Sequence, residues 1–300
     1  MEFKNQGVYL RKKIFAFFTF LFLVIGLCHI YDRAKEGFSI KKIQTVLPLS
    51  LTSEKRPNSK VLKALGQPFY YLGRGGQVFA FESEDKKYVL KLIRYDRLTP
   101  SFSMKFKKHL FGSSPCFEKE LKEKIYREKS TLNSYNLAAL DLSDLTEVMY
   151  THLKQTSSIN KIVPIYDKLG RQYFLDLDST GFVLQKKADL LGDILTKEKD
   201  KSKIKEILCQ YLTLIKNRSE KGIWIKDHNF FLRNYGFIGK KLCEIDVGSY
   251  RKTDVSNRKL LTQNNIDHIQ RAKNWIKEKM PEQVDFFEAK ANEILMGEQL

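Results

Sequence analysis

The chain has 300 residues and a formal net charge of +18 at pH 7, and this length is sufficient for one large domain or two lobes with a core. Such an excess of basic residues predicts an anionic partner: a nucleic acid, an acidic membrane surface or a phosphorylated ligand. The lysines are spread along the chain, and no RNP-type aromatic motif, zinc finger or basic-region heptad occurs, which argues against nucleic-acid binding as the main function. The four cysteines and five histidines are scattered without a CxxC pair, which argues against a zinc site and a disulfide framework.

The first predicted element is a membrane anchor. A run of basic residues is followed by an apolar segment that begins at Ile14 and, carried on to Tyr31, reaches the lower limit for a membrane-spanning helix. A cleaved signal peptide is the alternative, but no small-x-small cleavage site follows. The sequence therefore predicts a retained single-span anchor over residues 1–31 and a polar linker over 32–66. Basic residues flank both ends of the segment, so they do not fix its orientation.

The next stretch predicts three strands around a glycine-rich turn. Alternation in Phe69–Leu72 and Val78–Phe81 indicates two strands, and the residues between them are Gly73-Arg74-Gly75-Gly76-Gln77. Glycines allow a tight turn and bring backbone N–H groups close to an anion. In the third strand, Tyr88–Ile93, Lys91 shares a face with apolar neighbours, and an inward ammonium requires an anion. A plain hairpin followed by a surface lysine is the alternative.

The most informative later stretch is GIWIKDHNFFLRNYGFIGKKLCEIDVGSY. Asp227 is followed by Asn234, then by a short hairpin, and then by an apolar strand that ends in Asp246-Val247-Gly248. Phosphoryl transfer needs a base that orients the attacking hydroxyl, and Mg²⁺ held by hard oxygen ligands. Asp227 is the candidate base, and Asn234 and Asp246 are the candidate metal ligands. A surface Asx-turn at Asp227 with an ordinary hairpin after it is the alternative.

In this order, the motifs resemble those of the protein-kinase-like superfamily: the loop GRGGQV, the strand lysine in VLKL, and then the Asp, the Asn and an Asp-Val-Gly in place of the family's Asp-Phe-Gly. The resemblance covers roughly residues 67–265. It implies an α+β, bilobal kinase-like fold preceded by one transmembrane helix. The antiparallel-sheet N-lobe, with a basic helical insert, would occupy 67–187, and the mostly helical C-lobe, with the catalytic and metal loops, would occupy 188–300.

The resemblance also implies the cofactors ATP and Mg²⁺ and the residues that would bind them. The glycines of the loop would cover the phosphates, with Val78 at the position of the family's third glycine. The backbone from about Gln185 to Lys187 would hydrogen-bond the adenine. The predicted nucleotide-binding residues are Gly73, Gly75, Gly76, Val78, Lys91, Glu147, Gln185 and Lys187. The predicted catalytic residues are Asp227 and Lys91, and the predicted metal ligands are Asn234 and Asp246.

The family pairs its strand lysine with a glutamate on the helix that follows. Glu147 is the best-placed candidate, because apolar residues at helical spacing surround it before the next predicted strand, Ile162–Tyr166. Glu128 is the second candidate. The region from Thr99 to about Leu137 would then be the insert.

Two departures from the family pattern bear on function. Two extra residues separate Asp227 from Asn234, and no long activation segment with Ala-Pro-Glu follows Asp-Val-Gly. The second departure indicates a small-molecule, sugar or lipopolysaccharide-core kinase, or a divergent bacterial kinase-like protein. The sequence predicts a membrane-anchored ATP- and Mg²⁺-dependent phosphotransferase with a hydroxyl acceptor, either a sugar, a lipid or another anionic membrane-associated molecule, and its kinase-like part on the ATP-containing cytoplasmic side. A weak or inactive pseudokinase scaffold at a membrane is the alternative.

Overall fold

The structure is a computed structural model that describes residues 2–43, 56–98, 106, 112, 115–226 and 231–296. The helices are α1 (Glu2–Ala34), α2 (Ile40–Ile43), α3 (Ser59–Ala64), α4 (Tyr95–Leu98), α5 (Pro115–Leu140), α6 (Ser143–Thr146), α7 (Leu191–Lys197), α8 (Lys201–Glu220), α9 (Arg258–Lys279) and α10 (Val284–Met296). The strands are β1 (Phe69–Arg74), β2 (Val78–Ser83), β3 (Tyr88–Ile93), β4 (Val148–His152), β5 (Ile162–Tyr166), β6 (Gln172–Asp176), β7 (Phe182–Lys186), β8 (Asp189–Leu190), β9 (Ile223–Ile225), β10 (Tyr235–Ile238), β11 (Lys241–Glu244) and β12 (Tyr250–Lys252).

A seven-stranded sheet forms the first half of the fold, in the order β4-β7-β3-β2-β1-β5-β6. Neighbouring strands are antiparallel except β1 and β5, which are parallel. Because side chains alternate between the faces, Leu90 and Leu92 enter one core, whereas Lys91 lies on the opposite face with Val89 and Ile93. The second half is mainly helical, so the chain is of the predicted α+β class.

One face of the sheet is covered by the segment that the sequence predicts to be linker. Phe38 and Ile43 are fully buried, and the Phe38 ring contacts those of Phe79 and Phe81 edge-on, with centroids 5.2 Å apart in both pairs. The prediction of a polar linker over 32–66 is therefore wrong for this part. The physical reason is that an aromatic sheet face must be covered by other apolar residues. The predicted linker supplies five buried ones to this core: Phe38, Ile43, Val61, Ala64 and Leu65. Residues 44–55 lie outside the described residues.

The other face of the sheet packs on α5 and on elements of the second half. The C-terminal part of α5 contributes Leu132, Tyr135 and Ala138 to this core. The region predicted as an insert therefore ends in a helix that is part of the fold. The helix predicted around Glu147 is instead the four-residue α6 followed by β4, which pairs with β7. Val, Tyr and Thr residues in this segment favour a strand.

The second half is built on α8, whose apolar stripe is buried against α9 and α10. The Asp200 side chain caps the helix by accepting a hydrogen bond from the Ser202 N–H at 2.8 Å. Beside the helices, β10 and β11 form a hairpin, and β12 pairs with β9. These short strands place the loop after β11 opposite β3.

The N-terminal helix projects from this fold. Its segment Lys13–Ala34 is 22 residues long with a mean hydropathy of 2.3, and none of it is buried. Among the described residues it is the one helix long and apolar enough to cross a membrane. Because its apolar side chains are largely exposed, it is not a core helix of the fold.

Candidate nucleotide and metal site

A cavity of about 510 Å³, here called the central cavity, lies between the large sheet and the second half of the chain. Most of the residues predicted to act on phosphate and metal line it. The lining residues are Arg74, Gly75, Gly76, Gln77, Val78, Lys91, Tyr135, Arg233, Asn234, Ile245, Asp246, Val247, Gly248 and Ser249. A second cavity of about 540 Å³, between α8 and α9, contains none of the predicted residues. The glycine loop (residues 73–78), β3 and the loop after β11 therefore meet at one place.

Lys91 reaches across the central cavity to the other half of the fold. Its Nζ donates a hydrogen bond to the Ile245 carbonyl oxygen. Burial lowers the pKa of Lys91 to about 8, and the Asp246 carboxylate opposes that shift. An ammonium held here in a desolvated place is suited to bind an anion.

Asn234 and Asp246 are held together by the backbone. The Asn234 carbonyl oxygen accepts hydrogen bonds from the N–H groups of Ile245 at 2.7 Å and Asp246 at 3.5 Å. The Asp246 Oδ1 accepts a hydrogen bond from the Gly248 N–H at 3.4 Å. The sequence prediction that Asn234 and Asp246 belong to one site is consistent with this arrangement.

The donor set fits magnesium better than a transition metal. In the part of the chain that the structure describes, no group of three His, Cys, Asp or Glu side chains could hold a metal ion. Mg²⁺ is commonly bound by one or two carboxylates together with substrate phosphates and water. The Asp246 carboxylate and the Asn234 amide oxygen are hard ligands of this kind, and they line the same cavity as Lys91.

The glycine loop closes over the central cavity through Gln77. The Tyr135 hydroxyl donates a hydrogen bond to Gln77 Oε1 at 3.3 Å, and a Cβ added to Gly248 would lie only 1.9 Å from that oxygen. Gly248 therefore lets the Gln77 side chain approach the loop that carries Asp246. Gly73, by contrast, lies on β1 and is not among the lining residues.

Glu147 does not pair with Lys91. It follows α6 with a φ of +52°, and its carboxylate accepts hydrogen bonds from Lys186 at 2.7 Å and Lys241 at 3.0 Å. These lysines hold the pKa of Glu147 below its usual value despite partial burial. The predicted role of Glu147 is wrong because the residue lies at a turn before β4 rather than on a long helix.

Tyr135 is the residue of α5 that lines the central cavity, and the sequence reasoning missed it. The second candidate, Glu128, lies two helical turns earlier, about 10 Å along the axis. Burial raises the pKa of Glu128, and the neighbouring Lys129 is what opposes the shift. Burial and the Asp246 carboxylate raise the pKa of the Tyr135 hydroxyl, so it remains a donor. The only signal in the sequence is an aromatic residue among small ones at the end of α5.

Gln185 and Lys187 make contacts within the fold, and the predicted contact of their backbone with adenine stays a prediction. The buried Gln185 side chain donates hydrogen bonds to the carbonyl oxygens of Thr146 at 2.6 Å and Glu244 at 3.0 Å, which ties β7 to β11. Lys187 donates its backbone N–H to the Lys87 carbonyl oxygen at 2.8 Å. Neither residue lines the central cavity, because the end of β7 is occupied by contacts within the fold.

Asp227 lies outside the described residues. The residue before it, Lys226, donates its backbone N–H to the carbonyl oxygen of Ser249 at 3.2 Å, and Ser249 lines the central cavity. The chain therefore leaves the described part beside the cavity. The catalytic role of Asp227 remains a prediction.

We expect Glu147→Gln to have little effect on nucleotide binding. Each of its ion pairs involves a lysine that is about half exposed, and such pairs contribute roughly 0.2–1 kcal/mol. Urea unfolding should show a loss of that size, and titration with ATP·Mg²⁺ should give an affinity close to that of the wild type. A large loss of affinity for ATP·Mg²⁺ would show that Glu147 does contribute to the nucleotide site.

No protein-family model matches the chain, and no curated protein matches it significantly. Three solved structures illustrate the similarity that exists. The crystal structure of WbdD is 18% identical with a TM-score of 0.37, over 72% of this chain and 43% of WbdD. The yeast RNA Pol II CTD kinase CTDK-1 complex is 14% identical with a TM-score of 0.33, over 69% and 51% of the two chains. WaaP in complex with acyl carrier protein is 10% identical with a TM-score of 0.32, over 78% and 91%.

The chain spans only about half or less of the WbdD and CTDK-1 chains it matches. Another WbdD structure, at a TM-score of 0.35, is described as a bifunctional kinase-methyltransferase. At TM-scores below 0.5 these matches carry no conclusion about the site, which rests on the contacts described above.

Proposed function

We propose that the chain is an ATP- and Mg²⁺-dependent phosphotransferase of kinase-like architecture, anchored in a membrane by α1. The observation that carries this proposal is the central cavity, where the Lys91 ammonium meets Asp246 and Asn234 under a glycine loop. In kinases a strand lysine binds the phosphates, and an aspartate and an asparagine bind the metal. The bilobal division predicted from the sequence, at about residue 187, belongs to the same proposal.

Each side chain has a defined task in this reaction. Lys91 binds the phosphates, and the backbone of Gly75 and Gly76 covers them. When bound by Asp246 and Asn234, magnesium supplies positive charge for the β- and γ-phosphate oxygens. The acceptor hydroxyl oxygen forms a bond to the γ-phosphorus while the bond from that phosphorus to the bridging oxygen breaks, its electron pair staying on ADP. The hydroxyl proton passes to Asp227.

A nucleotide-binding scaffold without transfer is the second candidate. Two observations favour it. Lys91 contacts a backbone carbonyl oxygen instead of a glutamate. In kinases the glutamate that pairs with this lysine lies on the helix after the lysine strand, and here Tyr135 is the residue of α5 that lines the cavity. Asp227→Asn separates the two candidates, because it should abolish transfer by an enzyme and leave nucleotide binding intact. Nucleotide binding by a wild-type chain that shows no transfer would favour the scaffold, and transfer that survives Asp227→Asn would exclude Asp227 as the base.

The test of the proposed site is nucleotide affinity. We expect ATP·Mg²⁺ to raise the melting temperature of the full chain, since a ligand at a hundred times its Kd stabilises by about 2.7 kcal/mol. Lys91→Ala should remove this shift because the phosphates lose their cation. Lys187→Ala is the matched control, because this lysine pairs with Glu82 outside the central cavity. Absence of any shift in the wild type would contradict the proposal.

The pKa of Lys91 adds a pH signature to the same measurement. Since that pKa is about 8, the Lys91 side chain is mostly protonated at pH 7 and loses its positive charge as the pH rises through 8. Phosphate binding requires the charged form, so we expect the affinity for ATP·Mg²⁺ to fall about fivefold between pH 8 and 9, by proton linkage. Lys91→Arg keeps its charge, and its profile should be flat. Identical profiles for the two proteins would exclude Lys91 as the titrating group.

A further inference from the structure

The C-terminal end of α1 is joined to the large sheet through Glu36. The Glu36 carboxylate accepts hydrogen bonds from the hydroxyl of Tyr71 at 3.0 Å and from the ammonium of Lys168. Its backbone carbonyl accepts one from the Arg74 guanidinium at 2.9 Å. Phe38, two residues later, is fully buried. The apolar helix and the sheet are therefore connected by a bonded segment.

A hairpin turn lies beside this connection. The β5–β6 turn, residues 167–171, contributes Lys168 to the Glu36 ion pair, and the Arg171 guanidinium lies 5.0 Å from the centre of the Tyr31 ring. Leu169, within the turn, is 47% exposed. An exposed leucine between two cations, level with the last turns of an apolar helix, combines the features by which proteins contact a membrane interface.

The charge of this region fits an anionic surface. The acidic residues of the helix end and turn are each engaged. Asp167 is buried and bonded within the turn, Glu36 is paired with Lys168, and Asp32 is paired with Lys35 at 3.9 Å. The basic residues outnumber them. The basic residues of the helix end and turn are Arg33, Lys35, Lys41, Lys42, Lys168 and Arg171. Each basic residue near an anionic bilayer contributes about 1 kcal/mol of attraction.

The same end of the sheet carries the central cavity. Strands β1 and β5 are parallel, so the glycine loop after β1 and the β5–β6 turn both follow the C-terminal ends of their strands, at the same end of the sheet. Arg74, which lines the cavity, is the residue bonded to the Glu36 carbonyl oxygen. A bilayer crossed by α1 would therefore lie next to the phosphate-binding end of the cavity.

We propose that the β5–β6 turn rests on the bilayer that α1 spans, with Leu169 in the interfacial region and Lys168 and Arg171 against anionic lipid headgroups. This contact holds the mouth of the central cavity at the membrane surface. The proposal depends on the membrane anchor of the proposed function and not on nucleotide binding. Failure of the membrane contact can therefore be distinguished from failure of nucleotide binding.

The test places a tryptophan in the turn of the full-length chain, incorporated into nanodiscs that contain brominated phosphatidylglycerol. We expect the lipid to quench the emission that Leu169→Trp adds, over that of the parent protein. Ile162→Trp is the matched control, because Ile162 is 71% exposed on the same hairpin but starts β5, about 15 Å from the turn. Its added emission should be quenched several-fold less.

Two lipid compositions and a lipid-free measurement complete the test. Weaker quenching of Leu169→Trp in brominated phosphatidylcholine supports the role of anionic headgroups, and equal quenching overturns it. Equal quenching at the two positions, or none at either, overturns the contact itself. A concentration-dependent blue shift in detergent without quenching in nanodiscs would show that the turn contacts a second copy of the chain, and would also overturn it.

Discussion

Replacing Asp246 with asparagine should lower the rate of phosphate transfer roughly 10²–10³-fold, the loss typical when one preorganised electrostatic group is removed. The Asp246 side chain is the acidic group whose charge acts on Lys91, and it shares the central cavity with Asn234. The amide of Asp246→Asn retains the size of the carboxylate but not its charge. A bound Mg²⁺ would lose its only carboxylate among the lining residues that the structure describes.

The measurement is transfer of labelled γ-phosphate, or ATP hydrolysis, at saturating nucleotide. Asp254→Asn is a suitable control, because Asp254 is exposed, its carboxylate accepts a hydrogen bond from the Ser256 N–H at 2.8 Å, and it does not line the central cavity. Both variants should have a free energy of unfolding close to that of the wild type. The loss of transfer rate in Asp246→Asn would then reflect the reaction and not the stability of the fold. Equal rates for the two variants would show that Asp246 has no part in the reaction.

The largest stability effect is expected at the buried ion pair behind the site. Arg218 on α8 and Glu244 at the end of β11 are 0% and 1% exposed and bonded to each other. The Tyr250 hydroxyl donates to the same carboxylate, and burial with the Glu244 charge raises the pKa of Tyr250. Arg218→Leu would leave a buried carboxylate without its cation, at a cost of about 3–5 kcal/mol.

Urea unfolding of single and double variants checks this expectation. A double variant, Arg218→Met with Glu244→Leu, should recover much of the loss, because apolar replacements of a buried pair are often neutral. Lys221→Ala serves as the control, since its pair with Asp144 is largely exposed and is worth less than about 1 kcal/mol. If Arg218→Leu lost no more than this control, the buried pair would not be what fixes β11 against α8.

The sequence was sufficient to predict the features that depend on local pattern. Alternation along β3 places Lys91 on the cavity face, and the position of Asp246 after an apolar strand brings it to the same cavity. The first follows from periodicity over a few residues, which does not depend on distant contacts. The second follows from the apolar strand before Asp246 and from the order of the motifs, which resembles that of the kinase-like superfamily.

What could not be predicted depends on contacts between distant segments. Phe38 covers strands more than 30 residues away, and nothing near it in the sequence indicates that role. The stripe around Glu147 fits a helix by spacing, but a left-handed residue at that position ends α6 and starts β4. Because this segment was predicted to be the helix that carries the partner of Lys91, α5 was predicted to be part of an insert. In the structure α5 is the helix that contributes a residue, Tyr135, to the cavity.

If α1 spans a membrane as proposed, the bonded segment between α1 and the sheet would set the height of the central cavity above the bilayer. Glu36 is the second residue after Ala34, the last residue of α1, so at most about 7 Å of extended chain lies between them. Arg74 at the cavity wall donates a hydrogen bond to the Glu36 carbonyl oxygen. An enzyme on a long tether could reach hydroxyls far from the membrane, whereas the proposed membrane-anchored transferase would not have that freedom. Acceptors within its reach would be those whose hydroxyl groups lie close to the lipid phosphates.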